Sequence, residues 1–205
     1  MKNKIIGISG LAGSGKDLFY KALSEKIKCK RFALADDLKT EVRTFSLSMY
    51  GIDPVSCSGS QKELIRPLLV GHGFAKRNST NGRYWIEKLN QKIKEDIFQS
   101  FIKNQEESLY CITDIRYNKF ENDEVHWIKK EMNGILVHIT KFKMKNGKKT
   151  YDLPPNKEEE EQNPLLLKNA DYTIEWEHAM GEEEKVKKFI SPVIDDFLNY
   201  YKIVS

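Results

Sequence analysis

The sequence predicts an α/β protein with a parallel central sheet. Short apolar runs alternate with stretches of helical spacing, the first run feeds a glycine-rich turn, and 205 residues are enough for one buried core. "KIIGIS" (4–9) reads as a buried parallel strand entering that turn, with a helix from Lys16 to about Ile27. "KRFALA" (30–35) gives a second strand. "DDLKTEVRTFSLSMYG" (36–51) gives a helix, with Asp36 and Asp37 at its positive end and Gly51 as its stop.

Residues 52–60, with Pro54 and Gly59, read as a loop. Helices are expected over about 61–75 and 83–103, separated by the polar "AKRNSTNG", with Gly71 and Gly73 breaking the first of them. "SLYCITD" (108–114) has the character of a central strand. A helix is expected through Trp127 to Met132, and "GILVHIT" (134–140) gives another strand. From Lys141 to about Gln162 the chain turns polar, with two prolines and four consecutive glutamates. A loop of that length in a compact domain is a functional lid or a disordered segment. "ADYTIEW" (170–176) and an amphipathic helix over Glu182 to Tyr201 close the chain.

Composition excludes several classes. A net charge of +4, with acidic clusters interrupting the basic ones, does not mark a binder of nucleic-acid polymers, and small anionic substrates fit it equally well. No apolar run approaches the roughly 18–20 residues that cross a bilayer, and no signal-peptide pattern opens the chain, so a cytoplasmic protein without a membrane partner is expected. Cys29, Cys57 and Cys111 lie far apart without CxxC spacing, which suggests neither a disulfide framework nor a zinc site. Only six of the 34 basic residues are arginines, the side chain whose planar fork matches phosphate oxygens in pairs.

"GISGLAGSGKDLF" (7–19) carries the chemistry. Gly10, Gly15 and Lys16 match G-x-x-x-x-G-K between a strand and a helix, the phosphate-loop pattern. The backbone of Gly10, Ala12, Gly13, Ser14 and Gly15 can turn its amides onto phosphates, the helix adds its positive end, and Lys16 reaches the β and γ phosphates. Leu18 stands where a dinucleotide fingerprint needs its third glycine. Asp17 replaces the usual Ser or Thr, yet a carboxylate there remains a hard-oxygen ligand for Mg²⁺. A glycine turn without a ligand is the alternative.

The stretch "SGKD" resembles the loop of phage deoxynucleoside monophosphate kinases and of the related animal phosphomevalonate kinases, which carry Asp at this point. The resemblance implies a three-layer P-loop NTPase fold in one domain over 1–205, with a helical acceptor-binding region at about 52–104 and a lid at about 141–163. It implies ATP and Mg²⁺ as cofactors, small-molecule partners, and leaves a homodimer open. "FALADDLK" resembles the family stretch in which Lys39 would meet the acceptor, an ordinary capped helix being the alternative. "IRPLLVGHGFAKRNSTNGRYWIEKL" (65–89) resembles the segment that clamps the acceptor phosphate, which points to Arg66 and Arg77, with Arg83 behind them. Tyr84 would wall the acceptor base, Trp85 reads as core, and His72 as a loop or packing residue.

"LYCITDIRYNKFE" (109–121) resembles the Asp-x-Arg motif at a strand end. Asp114 would hold the Mg²⁺ shell or orient the acceptor and Arg116 would contact phosphate, capping of the following helix being the alternative. "KNADYTIEW" resembles the final strand that flanks adenine. The lid departs from the phage enzymes in having no arginine, so Lys141, Lys143, Lys145, Lys148 or Lys149 would supply the closing charge. The implied activity is transfer of the ATP γ-phosphoryl to a deoxynucleoside monophosphate, with Lys16, Arg66, Asp114 and Arg116 at the reaction. A kinase for another phosphorylated small molecule, phosphomevalonate-like, and a nucleotide-binding switch without catalysis are the rival readings.

Overall fold

The computed structural model describes residues 5–106, 108–177 and 183–203, the side chains of 183–188 excepted. Lys4 and Glu182, the outer bounds expected for the first strand and the last helix, lie outside them. The strands are β1 (Ile5–Ser9), β2 (Cys29–Phe32), β3 (Leu109–Ile115), β4 (Ile135–Lys145), β5 (Lys148–Tyr151) and β6 (Tyr172–Glu177). Their order is β2-β3-β1-β4, with β6 parallel and β5 antiparallel on β4. The helices are α1 (Lys16–Lys26), α2 (Leu34–Tyr50), α3 (Gly59–Ser79), α4 (Arg83–Ile102), the single turn α5 (Glu124–His126), α6 (Lys157–Asn169) and α7 (Glu183–Tyr200). The chain continues from α5 into a π-helical turn at Trp127–Glu131.

Strand alternation sorts the apolar side chains into two cores, one on each face of the sheet. Ile5, Tyr110, Ile112 and Leu136 face Trp85, Ile86, Leu89 and Ile93 of α4. Ile6, Ile8, Val137 and Ile139 face Phe19 and Leu23 of α1 and Ile194 and Phe197 of α7. The result is the three-layer α/β architecture that the sequence predicts, with a mostly parallel sheet. β1 is central, flanked by β3 and β4, so its C-terminal loop opens beside the end of β3. Between Gly7 and Ser9 the β1–β3 register slips by one residue, and Ile115 turns into the core beside α4. Such irregularities re-aim the side chains that follow them, here the one at Arg116.

Four expectations are corrected. β2 ends at Phe32 and α2 begins at Leu34, because Asp114 accepts the amides of Leu34 and Ala35 at 2.8 Å each and holds "LA" as the first turn of a helix. α3 runs unbroken through Gly71 and Gly73. Gly73 lies against Leu38 of α2, and its carbonyl accepts from Trp85 Nε1, so tertiary contact outweighs the low helix propensity of glycine. The segment after Lys141 is not an irregular loop. β4 continues to Lys145, Asn146 and Gly147 turn with φ of 52° and 74°, and β5 returns along β4 as a hairpin that leads into α6. The helix expected through Trp127 to Met132 is the short α5 followed by the π-helical turn. Among the described residues no helix is long and apolar enough to cross a membrane.

Candidate active site

The loop at 10–15 is held from below and behind. Gly10, Gly13 and Gly15 have φ of 136°, 78° and 97°, values that favour glycine. At Gly15 there is a second reason: an added Cβ would lie 2.5 Å from the ring of Trp176, whose Nε1 donates to the Ser14 carbonyl at 2.8 Å. At Gly10 it would run into the Ile139 carbonyl. The last parallel strand and β4 thus press the loop into shape. Ser14 is buried, and its hydroxyl has no partner among the described residues.

Lys16 opens α1 and donates to the carbonyls of Gly10 and Leu11 at 2.7 and 2.8 Å. Burial, together with the charge of Arg116, lowers its pKa to about 8, against the opposing pull of Glu159, Asp114 and Asp17. Asp17 points to solvent in the first turn of α1, 3.9 Å from the guanidinium of Arg31. Behind the loop, His138 donates or accepts at Ser9 Oγ over 3.0 Å. Burial and the nearby Lys16 push its pKa down to about 4, so the ring is neutral around pH 7.

Arg116 follows the irregular end of β3. Its guanidinium is exposed and makes no hydrogen bond or ion pair among the described residues, while its backbone amide donates to Glu124 at 2.6 Å. Glu124 also accepts from Tyr117, and Asp123 accepts from the amides of Lys119, Phe120 and Glu124. Arg77 closes this arrangement. It pairs with Asp123 and, at 3.3 Å, with Glu124, and its guanidinium lies 3.8 Å from the centre of the Tyr117 ring. Burial pushes the Glu124 carboxyl up to about 8 against the pull of Arg77.

The expected clamp of Arg66 and Arg77 is therefore divided. Both project from α3, but Arg77 is buried and saturated by carboxylates, so it braces the loop that carries Arg116 and offers nothing to an acceptor. Arg66 is exposed and paired with Glu63, three residues earlier on the surface, a partner that an incoming phosphate can displace. Asp114 likewise departs from the metal role expected of it. Each of its oxygens takes one amide at the start of α2, and burial raises its pKa against the pull of those amides and of Arg116. It caps a helix, though α2 and not the one that follows it. Lys39 is half-buried and without an ion pair among the described residues.

Tyr84 donates to Glu41 at 2.6 Å between Lys76 and Lys88, and Trp85 is core, edge-on to it. His72, expected in a loop or as packing, is helical and bonded to the same Glu41, whose pKa falls to about 2 because the bonds from Lys88, Tyr84 and His72 outweigh its desolvation. Arg83 pairs with Glu87 and Glu131. Of the lid lysines, Lys141 reaches the loop, donating to the Gly13 carbonyl at 2.7 Å, while Lys149 is taken by Glu175.

Sequence reasoning missed Trp176 and Glu159, and Gln162, within the short polar stretch 161–163 that resembles a family motif, contributes beside them. Trp176 completes the loop, Gln162 accepts from the Asn118 amide at 2.9 Å, and Glu159 accepts from the Ala12 amide at 2.9 Å. Asn156 followed three residues later by Glu159 is a helix-start signature that would have placed the last two on α6. A cavity of about 560 Å³ opens beside the loop, lined by Ala12, Ser14, Thr140, Asn163, Leu167 and Thr173, and Asn163 Oδ1 is buried there without a partner among the described residues. No cluster of three or more His, Cys, Asp or Glu side chains among those residues is arranged to hold a metal ion by itself.

No protein-family model matches the sequence, and no curated protein matches it either. Among solved structures, the fold resembles the dephospho-CoA kinase from Campylobacter jejuni at 15% identity and a TM-score of 0.43, over 94% of this chain and 96% of that one. It also resembles the TT1252 protein from Thermus thermophilus at 13% identity and a TM-score of 0.40, over 96% and 98%. Likenesses this distant say nothing of a substrate.

Two outcomes follow from the buried charges. Arg77→Met should lower stability by about 3–5 kcal/mol in urea titration, since Asp123 and Glu124 are left buried without their cation. At His138 the folded pKa lies below the unfolded one, so stability is lost as pH falls from 6.5 towards 4, when the unfolded chain takes a proton that the folded chain refuses. His138→Gln should remove up to about 3 kcal/mol of that acid-side loss, read as a smaller difference between unfolding free energies at pH 7 and pH 4.

Proposed function

We propose that the protein is a P-loop kinase that moves the γ-phosphoryl of ATP to the phosphate of a small acceptor, with a deoxynucleoside monophosphate as that acceptor, in the cytoplasm. The observation that carries this reading is the arrangement at the ends of β1 and β3: a glycine cradle with Lys16 on one strand and the unpaired guanidinium of Arg116 on its neighbour. Ligands of open α/β sheets bind at such carboxyl ends. The reading gives the triphosphate to the cradle and the donor nucleoside to the cavity beside it, where the unpartnered Asn163 carbonyl awaits a donor.

In this reading Lys16 neutralises the β and γ phosphates, Arg116 bridges towards the acceptor phosphate, and Arg66 and Lys39 hold the acceptor from α3 and α2. Tyr84, with Lys76 and Lys88 over its ring, is the aromatic side chain this reading assigns to the acceptor's base among the helices that hold it. Asp114 and Arg77 are positioning residues, one fixing the start of α2 and the other the turn after Arg116. An acceptor phosphate is already ionised at pH 7, so alignment and charge dispersal supply most of the rate and no general base is required. Mg²⁺ bound with a nucleotide usually takes one or two carboxylates plus phosphate oxygens, and this reading assigns Asp17 as the carboxylate that would hold it, Asp114 being engaged by the amides of α2. Such an ion would disperse phosphate charge. Lys141, already at the Gly13 carbonyl, is the lid cation assigned to closure.

A coupled assay with ATP, Mg²⁺, the four deoxynucleoside monophosphates, their ribonucleotides and phosphomevalonate tests the assignment. ADP release stimulated by a deoxynucleotide supports it, and tight ATP binding with no stimulation by any acceptor replaces it with a nucleotide switch. Lys16→Met and Arg116→Ala should each lower kcat by about 10³-fold or more with the fold intact by circular dichroism. Because the Lys16 pKa stands at about 8, ATP affinity should weaken as pH rises through that value, a dependence that Lys16→Met abolishes.

A further inference from the structure

The helix that follows the hairpin delivers an acid into the phosphate loop. Asn156 caps α6 by accepting from the Glu159 amide at 2.9 Å, and helical side chains lean towards the N-terminus of their helix. Glu159 Oε2 thereby accepts from the Ala12 amide at 2.9 Å, a donor that the cradle would turn on a phosphate oxygen. The charge of the same carboxylate acts on Lys16, where it opposes burial, and on Arg66, where it adds to the hold of Glu63. One carboxylate thus holds a loop amide while its charge is felt by the ammonium of α1 and a guanidinium of α3. The space between Gly10, Ala12, Lys16, Arg116, Glu159 and Gln162 amounts to about 20 Å³, room for about one water. The Lys16 ammonium meanwhile faces the carbonyls of Gly10 and Leu11.

We propose that Glu159 is an acid gate: its carboxylate occupies the seat of a donor phosphate oxygen and must withdraw before a triphosphate can enter the loop. The inference rests on the kinase reading. Two anions cannot share this donor, because like charges at hydrogen-bonding distance repel. In the empty protein the gate satisfies the Ala12 amide and offsets the buried cation. An entering triphosphate has to break that charge-assisted bond, which lowers affinity, and it drives the start of α6 away from the loop. An exposed acid at the neighbouring position, Glu160, makes no such contact.

Calorimetric titration of the full chain with inorganic tripolyphosphate and with ATP and Mg²⁺ tests the gate, using the wild type, Glu159→Gln, Glu159→Ala and, as a control for net charge, Glu160→Gln. Glu159→Gln keeps the size of the side chain, so its fold is preserved. Both Glu159 variants should bind each probe about tenfold more tightly, the scale of one lost competing bond to a charged group, and Glu160→Gln should match the wild type. Hydrogen exchange at the Ala12 amide should be faster in Glu159→Ala than in the wild type when no anion is present. Unchanged or weaker binding by both Glu159 variants overturns the gate alone, as does equal tightening in Glu160→Gln. Failure of all four proteins to bind either probe overturns the kinase reading and the gate with it.

Discussion

Backbone amides can surround a phosphate only where the chain turns inward without side chains in the way, and every other feature of the site depends on that turn between β1 and α1. Three glycines at left-handed φ make it, but they do not hold it. It is held by a core strand pinned between β3 and β4, by the Ile139 carbonyl under Gly10, and by the Trp176 ring against Gly15. The same frame places the ends of β1 and β3 side by side, and the slipped register there directs Arg116 towards the loop's end of the sheet.

Charge is distributed around this frame in two grades. Deep groups are matched in place: Arg77 with Asp123 and Glu124, Asp114 with two helix amides, and His138 kept neutral. Their removal leaves a buried charge or donor without compensation, so their business is geometry. Shallow groups hold partners that water and ligands can replace, as Arg66 does with Glu63, or hold no ion pair among the described residues, as at Arg116 and Lys39. That division separates the cations that shape the site from those able to meet a substrate, and it is why Arg77 changes role although it shares α3 with Arg66.

Much of this was legible in the sequence. The strand-loop-helix that the structure describes from Ile5 to Lys26, the central strand Leu109–Ile115 and the glycine-lysine spacing needed only local pattern and periodicity. What escaped depends on partners distant in the chain. Asp114 caps a helix about 80 residues earlier, and Arg77 is claimed by carboxylates 46 and 47 residues later, so no local window reveals either. Gly71 and Gly73 lower helix propensity, yet α3 continues through them, with Leu38 and Trp85 packed at Gly73. The hairpin and α6 were legible in part: Asn146-Gly147 is a hairpin turn, and Asn156 with Glu159 is a helix start, but the surrounding lysines and glutamates concealed the apolar alternation that normally marks such elements.

Trp176 closes the loop from the far end of the chain, 162 residues beyond the Ser14 carbonyl to which it donates. A polypeptide synthesised from its amino terminus therefore carries an unfinished cradle until its final strand has cleared the ribosome. Until then the glycine turn has no indole to rest on, although β3 and β4 are already made and can flank the first strand.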